Sequence, residues 1–200
     1  EILYANLEDA PPGSVVRGGK SGKQEPTRKD GRLVWHQAAD WNHLFVPMKE
    51  LPDVFAVEVQ VLVPETKNGL RSAGITVFTD PDGPDPGHAL HGRSLSLVDE
   101  PGRAPFFQWG FRGGPERNVT AKSGPLPRAF AGRWQKLRVE GSRSGCWVRA
   151  LVDDEPVVFE TGACDLGGRH VLLQANAPFW KSADVDWKDL QAFRGNSNCQ

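Results

Sequence analysis

The chain has 200 residues, of which 38% are hydrophobic and 24% charged, and its formal net charge is −1. This composition is ordinary for a globular protein and argues against general disorder. The balanced charge argues against nucleic acid as a partner, because such binding needs an excess of cations. No apolar run approaches the roughly 18 residues of a spanning helix, so we expect no membrane insertion by this domain. A chain of this length fits one large all-β domain, and we predict a single domain over residues 1–200.

Short β-rich runs recur along the whole chain, and helical periodicity is nearly absent. The 22 glycines and 16 prolines fall mostly between these runs, where turns need them. The basic stretch from Arg17 to Lys29 is expected to be a solvated loop. The pattern therefore predicts an all-β fold. The predicted strands are Arg32–His36, His43–Pro47, Val54–Val63, Ala73–Thr79, Ser94–Val98, Phe106–Phe111, Gln135–Gly141, Cys146–Val152, Pro156–Glu160, His170–Ala175 and Val185–Phe193.

Alternation within several strands predicts one core-facing side and one side with isolated polar groups. The odd positions from 55 to 63 are large and apolar, positions 107, 109 and 111 are aromatic, and positions 171, 173 and 175 are apolar. Two antiparallel sheets packed on a shared core account for this pattern, and an open sheet face can hold a ligand. The alternative is a polar face that only meets solvent. The polar positions on the opposite faces are Glu58, Gln60, Gln108, Arg112, Gln174 and Asn176.

Cys146 and Cys164 flank a predicted hairpin whose turn lies at residues 153–155. A disulfide between them is geometrically reasonable, which leaves Cys199 free or pairing between chains. The chain begins at Glu1 rather than Met, which we interpret as a processed form or a domain excised from a longer chain. We expect an exported protein, extracellular or periplasmic.

The C-terminal half carries a characteristic order of segments: Gly132–Gly141, a strand and turn over Val148–Glu155, Gly167–Ala175, and Ala183–Leu190. This order resembles the closing strands of concanavalin A-like domains. Within that superfamily it is most similar to laminin-G-like domains and to the 3-keto-disaccharide hydrolase-like domains of bacteria. The resemblance implies a two-sheet antiparallel jelly-roll sandwich. It implies no single activity, because this fold hosts lectins, glycosidases, lyases and adhesion modules.

Catalytic carboxylates of the glucanase type are not found in the sequence. The glucanases of this superfamily use a Glu-x-Asp-x-Glu strand, whose period of two aligns the paired carboxylates that glycoside hydrolysis needs. The closest pattern is Asp184-Val185-Asp186, and we interpret both aspartates as outward positions of an edge strand. No catalytic residue is assigned.

Seven tryptophans suggest a binding platform, because exposed indole rings can stack on sugar rings. Trp109, Trp134 and Trp187 are expected in the core, whereas Trp41 and Trp180 lie in predicted loops. Together with the polar positions of the open face they form a predicted ligand site. Its members are Trp41, His43, Glu58, Gln60, Gln108, Arg112, Gln174, Asn176 and Trp180.

The segment Asp80–Gly87 places alternate aspartates around a glycine. Such oxygens can converge on a hard cation, so Asp80, Asp82 and Asp85 are the predicted ligands of a Ca²⁺ ion. The alternative is an ordinary Asp-Pro turn.

The leading functional hypothesis is a non-catalytic module that binds a glycan or glycan-like ligand, within an exported or larger protein. The second is a carbohydrate-active enzyme in which Glu58 acts with another carboxylate on the same face. The third is a structural or protein-interaction domain whose specificity lies in its loops.

Overall fold

A computed structural model describes residues 2–5, 15–18, 27–35, 41–47, 51–63, 71–78, 92–100, 102–112, 119–126, 132–164, 166, 170–176 and 185–194. These residues form fifteen β-strands in two antiparallel sheets. No helix long and apolar enough to cross a membrane occurs within these ranges.

The larger sheet has eight strands in the order β13-β12-β11-β6-β15-β4-β3, and β1 also pairs with β15. β4 pairs with the first half of β15 and β1 with the second half, on either side of an irregularity after Lys188. The bounds are β1 Ile2–Ala5, β3 Thr27–Lys29, β4 Arg32–Trp35, β6 Val54–Leu62, β11 Trp134–Ser142, β12 Trp147–Val152, β13 Glu155–Thr161 and β15 Val185–Arg194.

The second sheet has seven strands in the order β10-β9-β8-β7-β14-β5-β2. Every neighbouring pair is antiparallel. The bounds are β2 Val15–Gly18, β5 Trp41–Pro47, β7 Arg71–Phe78, β8 Gly92–Asp99, β9 Phe106–Arg112, β10 Val119–Pro125 and β14 His170–Asn176.

The core lies between the two sheets and is built by alternation. On β6 the odd positions from 55 to 61 are fully buried, and Glu58 and Gln60 on the other face are only partly buried. Trp109 and Trp187 are the largest fully buried side chains, as expected. Trp134 differs from the prediction: it is partly exposed on the outer face of the larger sheet, where the Lys188 Nζ lies 4.3 Å from its ring centroid.

All eleven predicted strands are present with small shifts at their ends, and four strands were not predicted: β1, β2, β3 and β10. The stretch from Arg17 to Lys29 is not a continuous loop, because β2 extends to Gly18 and β3 covers Thr27–Lys29. The three residues of β3 are exposed, in agreement with a solvated segment.

The prediction that Asp186 lies on an edge strand is wrong. β15 lies inside the larger sheet, because it pairs with β6 along one edge and with β4 along the other. Asp186 is partly buried and its carboxylate lies 3.9 Å from the Arg32 guanidinium. Asp184 lies outside the described residues.

The Cys146–Cys164 disulfide is present, with the two Cα atoms 4.1 Å apart. It joins the turn between β11 and β12 to the segment that follows β13. A backbone hydrogen bond of 2.7 Å, donated by Gly162 N to Cys146 O, lies beside it. Cys199 is outside the ranges that the structure describes.

Candidate functional site

One row of cross-strand partners crosses all seven strands of the smaller sheet. Each position in the row is the direct partner of the next, from β2 at one edge to β10 at the other. We call it the polar row, because no large apolar residue occurs in it. Its members are Arg17, His43, Gln174, Gly74, Ser96, Gln108 and Ser123.

The polar row lies on the face turned away from the core. On β7 and β8 the residues that flank it in sequence, Ala73 with Ile75 and Leu95 with Leu97, are all fully buried. Successive strand residues point to opposite faces, so the row faces outward. Ser96 is 8% exposed, whereas Gln108 is partly buried and Ser123 exposed. The polar groups thus become more accessible towards the β10 edge.

A neighbouring row on the same face starts with Trp41 and Asn176, which are direct partners on β5 and β14. It continues through Ser72, Val98 and Phe106. The ring of Phe106 is covered, because the Arg103 guanidinium lies 3.7 Å from its centroid. A sugar ring therefore cannot stack on Phe106.

The row on the other side of the polar row contains Thr76 and Ser94, which are paired on β7 and β8. Both are buried although they lie on the outer face. The Thr76 hydroxyl has no hydrogen-bond partner within the described part of the chain. The buried part of this face therefore holds an unsatisfied polar atom beside the polar row. Such an atom lowers the stability of the fold, because it has given up its hydrogen bond to water without gaining another. Arg112 lies further along, opposite Gly92.

Six of the nine predicted ligand-binding residues therefore fall at register positions of the smaller sheet. They are Trp41, His43, Gln108, Arg112, Gln174 and Asn176. Trp180 and the predicted metal ligands Asp80, Asp82 and Asp85 lie outside the described residues. Among the residues that the structure does describe, no three His, Cys, Asp or Glu side chains cluster as a metal site.

Glu58 and Gln60 do not belong to this face. Both lie on β6 in the larger sheet, on its outward side, so the core separates them from the polar row. Strand alternation distinguishes two faces of a strand but does not say to which sheet the strand belongs, and this explains the error. Gln60 donates a hydrogen bond of 2.9 Å to the Asp189 carboxylate.

Glu58 takes part in a chain of alternating charges on the outside of the larger sheet. Its carboxylate lies 3.3 Å from the Arg138 guanidinium, which is 2.8 Å from Glu140. Arg149 donates to the other oxygen of Glu140 from its Nε at 2.6 Å. Two cations thus neutralise two carboxylates, and Arg138 lies between the carboxylates. This is not a pair of acids open to a shared substrate, and Glu58 is on the wrong side of the sandwich to act with the polar row.

One polar cluster ties the two sheets together beneath the row. Glu160 on β13 turns inward and accepts hydrogen bonds from Arg93 Nη2 on β8 and from Trp109 Nε1 on β9, each at 3.1 Å. Lys122 on β10 donates to the Val157 carbonyl at 3.0 Å. These contacts fix β8, β9 and β10 against the larger sheet, and the same strands carry Ser96, Gln108 and Ser123.

Sequence reasoning did not single out Ser96, Ser123 or Gly74. A usable signal existed at Ser94-Leu95-Ser96-Leu97, where small polar and apolar residues alternate. Ser123 and Gly74 carry no such signal, because only the register shows that they are in line with Gln108 and Gln174.

No protein-family model and no curated protein sequence matches the chain. Solved structures do match. The carbohydrate recognition domain of Emp46p in its metal-free form superposes with a TM-score of 0.70 at 9% identity, covering 96% of this chain and 97% of that one. The exoplasmic/lumenal domain of VIP36, in a Ca²⁺/Man3GlcNAc-bound form, gives 0.61 at 12%, covering 98% and 92%. The carbohydrate-binding module CBM66 from Bacillus subtilis gives 0.53 at 12%, covering 90% and 91%.

The fold is a concanavalin A-like jelly-roll sandwich. At these identities the likeness to carbohydrate recognition domains and a carbohydrate-binding module establishes the fold alone.

Proposed function

We propose that this chain is a non-catalytic module that binds a glycan across the polar row. The observation that carries the proposal is the row itself. Hydroxyl and amide residues from neighbouring strands stand in line on an outward sheet face, and Ser96 on β8 is the direct cross-strand partner of Gln108 on β9.

The chemistry of the row suits a ligand with many hydroxyl groups. Serine hydroxyls and glutamine amides can each donate and accept hydrogen bonds. Gly74 in the middle of the row is buried, so the accessible part of the row is its β10 end, at Gln108 and Ser123. The position of Trp41 in the next row would give a stacking wall. At the β10 end of the polar row Ser96, Gln108 and Ser123 are all uncharged, so this part of the site suits an uncharged glycan.

The structural likenesses support this ligand class. VIP36 was solved with Man3GlcNAc, Emp46p is described as a carbohydrate recognition domain and CBM66 as a carbohydrate-binding module. A shared fold does not transfer a function by itself. Here it is joined to a row of polar groups that this chain builds from its own residues.

Calcium remains part of the proposal, with Asp80, Asp82 and Asp85 as its ligands. Carboxylate oxygens are the ligands that Ca²⁺ prefers. The VIP36 structure contains Ca²⁺, and Emp46p was solved in both metal-free and potassium-bound forms. Replacing the three aspartates by asparagine should abolish any effect of a chelator on glycan binding.

We also propose that the protein is exported, as a module of a larger protein. The Cys146–Cys164 disulfide supports this, because disulfides persist mainly in oxidising compartments.

A glycan array on the purified chain, with and without a calcium chelator, tests the proposal, followed by titration of the best-binding glycan. Gln108→Ala and Gln60→Ala form a matched pair, because they remove the same amide from opposite sides of the sandwich. We expect Gln108→Ala to weaken binding about two- to tenfold, the value of one hydrogen bond, and Gln60→Ala to leave it unchanged. Equal effects of the two variants would contradict the site. An empty array in both conditions would favour a protein-interaction domain.

A further inference from the structure

A second surface on the molecule combines exposed aromatic rings with polar groups. Phe159 on β13 is 63% exposed, and it is the one exposed large hydrophobic side chain found among the described residues. Trp147 on β12 is partly buried beside it. Their ring centroids are 6.3 Å apart and the ring planes differ by 28°. Leaving such a ring in water forgoes the free energy of burying it, which is about 1.5–3 kcal/mol for a phenylalanine side chain.

Two polar residues complete the surface. Trp147 is the direct partner of Thr161, and Phe159 is the direct partner of Arg149. The four outward positions therefore alternate aromatic and polar along two neighbouring strands at the edge of the larger sheet. We call Trp147, Arg149, Phe159 and Thr161 the edge platform. Thr161 is exposed, so its hydroxyl is accessible beside the indole.

The turn that precedes Trp147 is held rigidly. The disulfide fixes Cys146, and Asp53 accepts hydrogen bonds from Ser144 N at 2.8 Å and Ser144 Oγ at 2.5 Å. These two hydrogen bonds hold the pKa of the Asp53 carboxyl below its usual value. A Cβ on Gly145 would lie 2.8 Å from the indole Cδ1, so the ring packs directly against the backbone. A surface fixed before binding loses little conformational entropy when a ligand arrives.

Charge and size restrict what the edge platform can bind. Arg149 is ion-paired with Glu140, and the neighbouring Arg138 is ion-paired with Glu58 and Glu140. The surroundings are therefore close to electroneutral, which favours an uncharged ligand. A stable protein interface needs about 20–30 residues a side, and two aromatic rings do not provide this. A small ligand with an apolar ring face and hydroxyl groups at its rim fits the pattern.

We propose that the edge platform is a second glycan-binding site, which takes a pyranose ring of a neutral oligosaccharide against Phe159 and Trp147. The ligand class rests on the proposed function, whereas the site uses residues on the other sheet. Thr161 and Arg149 bond the sugar hydroxyls. Because the polar row and the edge platform belong to opposite sheets, one molecule can hold two glycan chains at once. Two linked sites raise the overall affinity for a polysaccharide surface well above that of either one.

The test uses the whole chain with four neutral probes: cellohexaose, maltohexaose, mannohexaose and xylohexaose. Two-dimensional NMR follows the Trp147 indole N–H, assigned by its loss in Trp147→Phe, together with the Gln108 side-chain amide. We expect at least one probe to shift the Trp147 signal. Phe159→Ala should weaken that binding about three- to tenfold, the value of one aromatic contact. Phe159→Tyr should retain it. Because Phe159 is exposed, neither change threatens folding.

The outcomes separate the two proposals. If probes shift the Gln108 amide but never the Trp147 indole, the edge platform is overturned and the polar row stands. The opposite result is that the Gln108 amide of the wild type responds to no probe, and that the Trp147 signal still shifts in Gln108→Ala. The polar row then fails and the edge platform stands. Equal binding by Phe159→Ala and the wild type overturns the edge platform. So does a dimer in sedimentation velocity that only Phe159→Ala dissociates, because the surface is then an interface between copies.

Discussion

Replacing Glu160 by alanine should destabilise the sandwich far more than a surface substitution does. The carboxylate accepts hydrogen bonds from Arg93 and Trp109 at 3.1 Å each, across the space between the sheets. The Arg93 side chain is only 5% exposed and Glu160 is 27% exposed. The change therefore removes a hydrogen bond to a nearly buried cation and leaves the indole N–H without its acceptor.

The expected loss follows from these two contacts. A hydrogen bond to a charged group contributes about 1.5–3 kcal/mol, and an unsatisfied buried donor costs about 1–3 kcal/mol. The two ranges combine to about 2.5–6 kcal/mol. Water can reach the partly exposed Glu160 position, so we expect a loss in the lower half of that range, about 2.5–4 kcal/mol. Glu155→Ala, an exposed glutamate on the same strand, is the control and should change stability by less than about 0.5 kcal/mol.

Urea denaturation followed by tryptophan fluorescence measures the free energy of unfolding of both variants. A double-mutant cycle with Trp109→Phe isolates the contact to the indole, for which we expect a coupling free energy of about 1 kcal/mol. A loss in Glu160→Ala no greater than that in Glu155→Ala would refute the view that this cluster joins the sheets. A coupling free energy near zero would show that the indole hydrogen bond contributes nothing.

Two further predictions concern the turn before β12. Replacing Cys146 and Cys164 by serine removes a cross-link over 18 residues and should lower the free energy of unfolding by about 3 kcal/mol; a loss below about 1 kcal/mol in urea denaturation would contradict this. Hydrogen bonds from Ser144 lower the pKa of the Asp53 carboxyl from its ordinary value of 3.8. The stability that the ionised carboxylate contributes is therefore fully present above pH 3.8. It is lost as the pH falls through the lowered pKa. Asp53→Asn should therefore be less stable than the wild type at neutral pH, with a difference that narrows in thermal melts at low pH, and a difference independent of pH would argue against this role.

The sequence predicted the long strands well, because each buries one face and so alternates apolar and polar residues. The strands it missed lack that signal. β3 has the sequence Thr-Arg-Lys and is exposed throughout, and β10 contains Gly124 and Pro125, which ordinarily mark turns. Such strands are held by pairing with a neighbour rather than by their own residues.

The candidate site was only partly predictable for a related reason. Alternation placed Gln108 away from the core, and the structure has it partly exposed there. Alternation also suggested Glu58, which lies on the other sheet. Which strands are neighbours depends on contacts between distant segments, and no local pattern encodes them. Trp134 shows the same limit, because a large aromatic at a strand end can cover the outer face as easily as it fills the core.

The place of β15 in the larger sheet has a consequence for the order of events during synthesis. This last strand pairs with β6, β4 and β1, and Ile2 is aligned with Phe193. Until the final residues of β15 have left the ribosome, β3 and β4 have no connection to the rest of their sheet. The nascent chain therefore presents open strand edges and uncovered apolar faces until β15 has been synthesised, a state prone to aggregation. Pairings between such distant segments also make folding slow, so a chaperone that shields the nascent chain would raise the yield of folded protein.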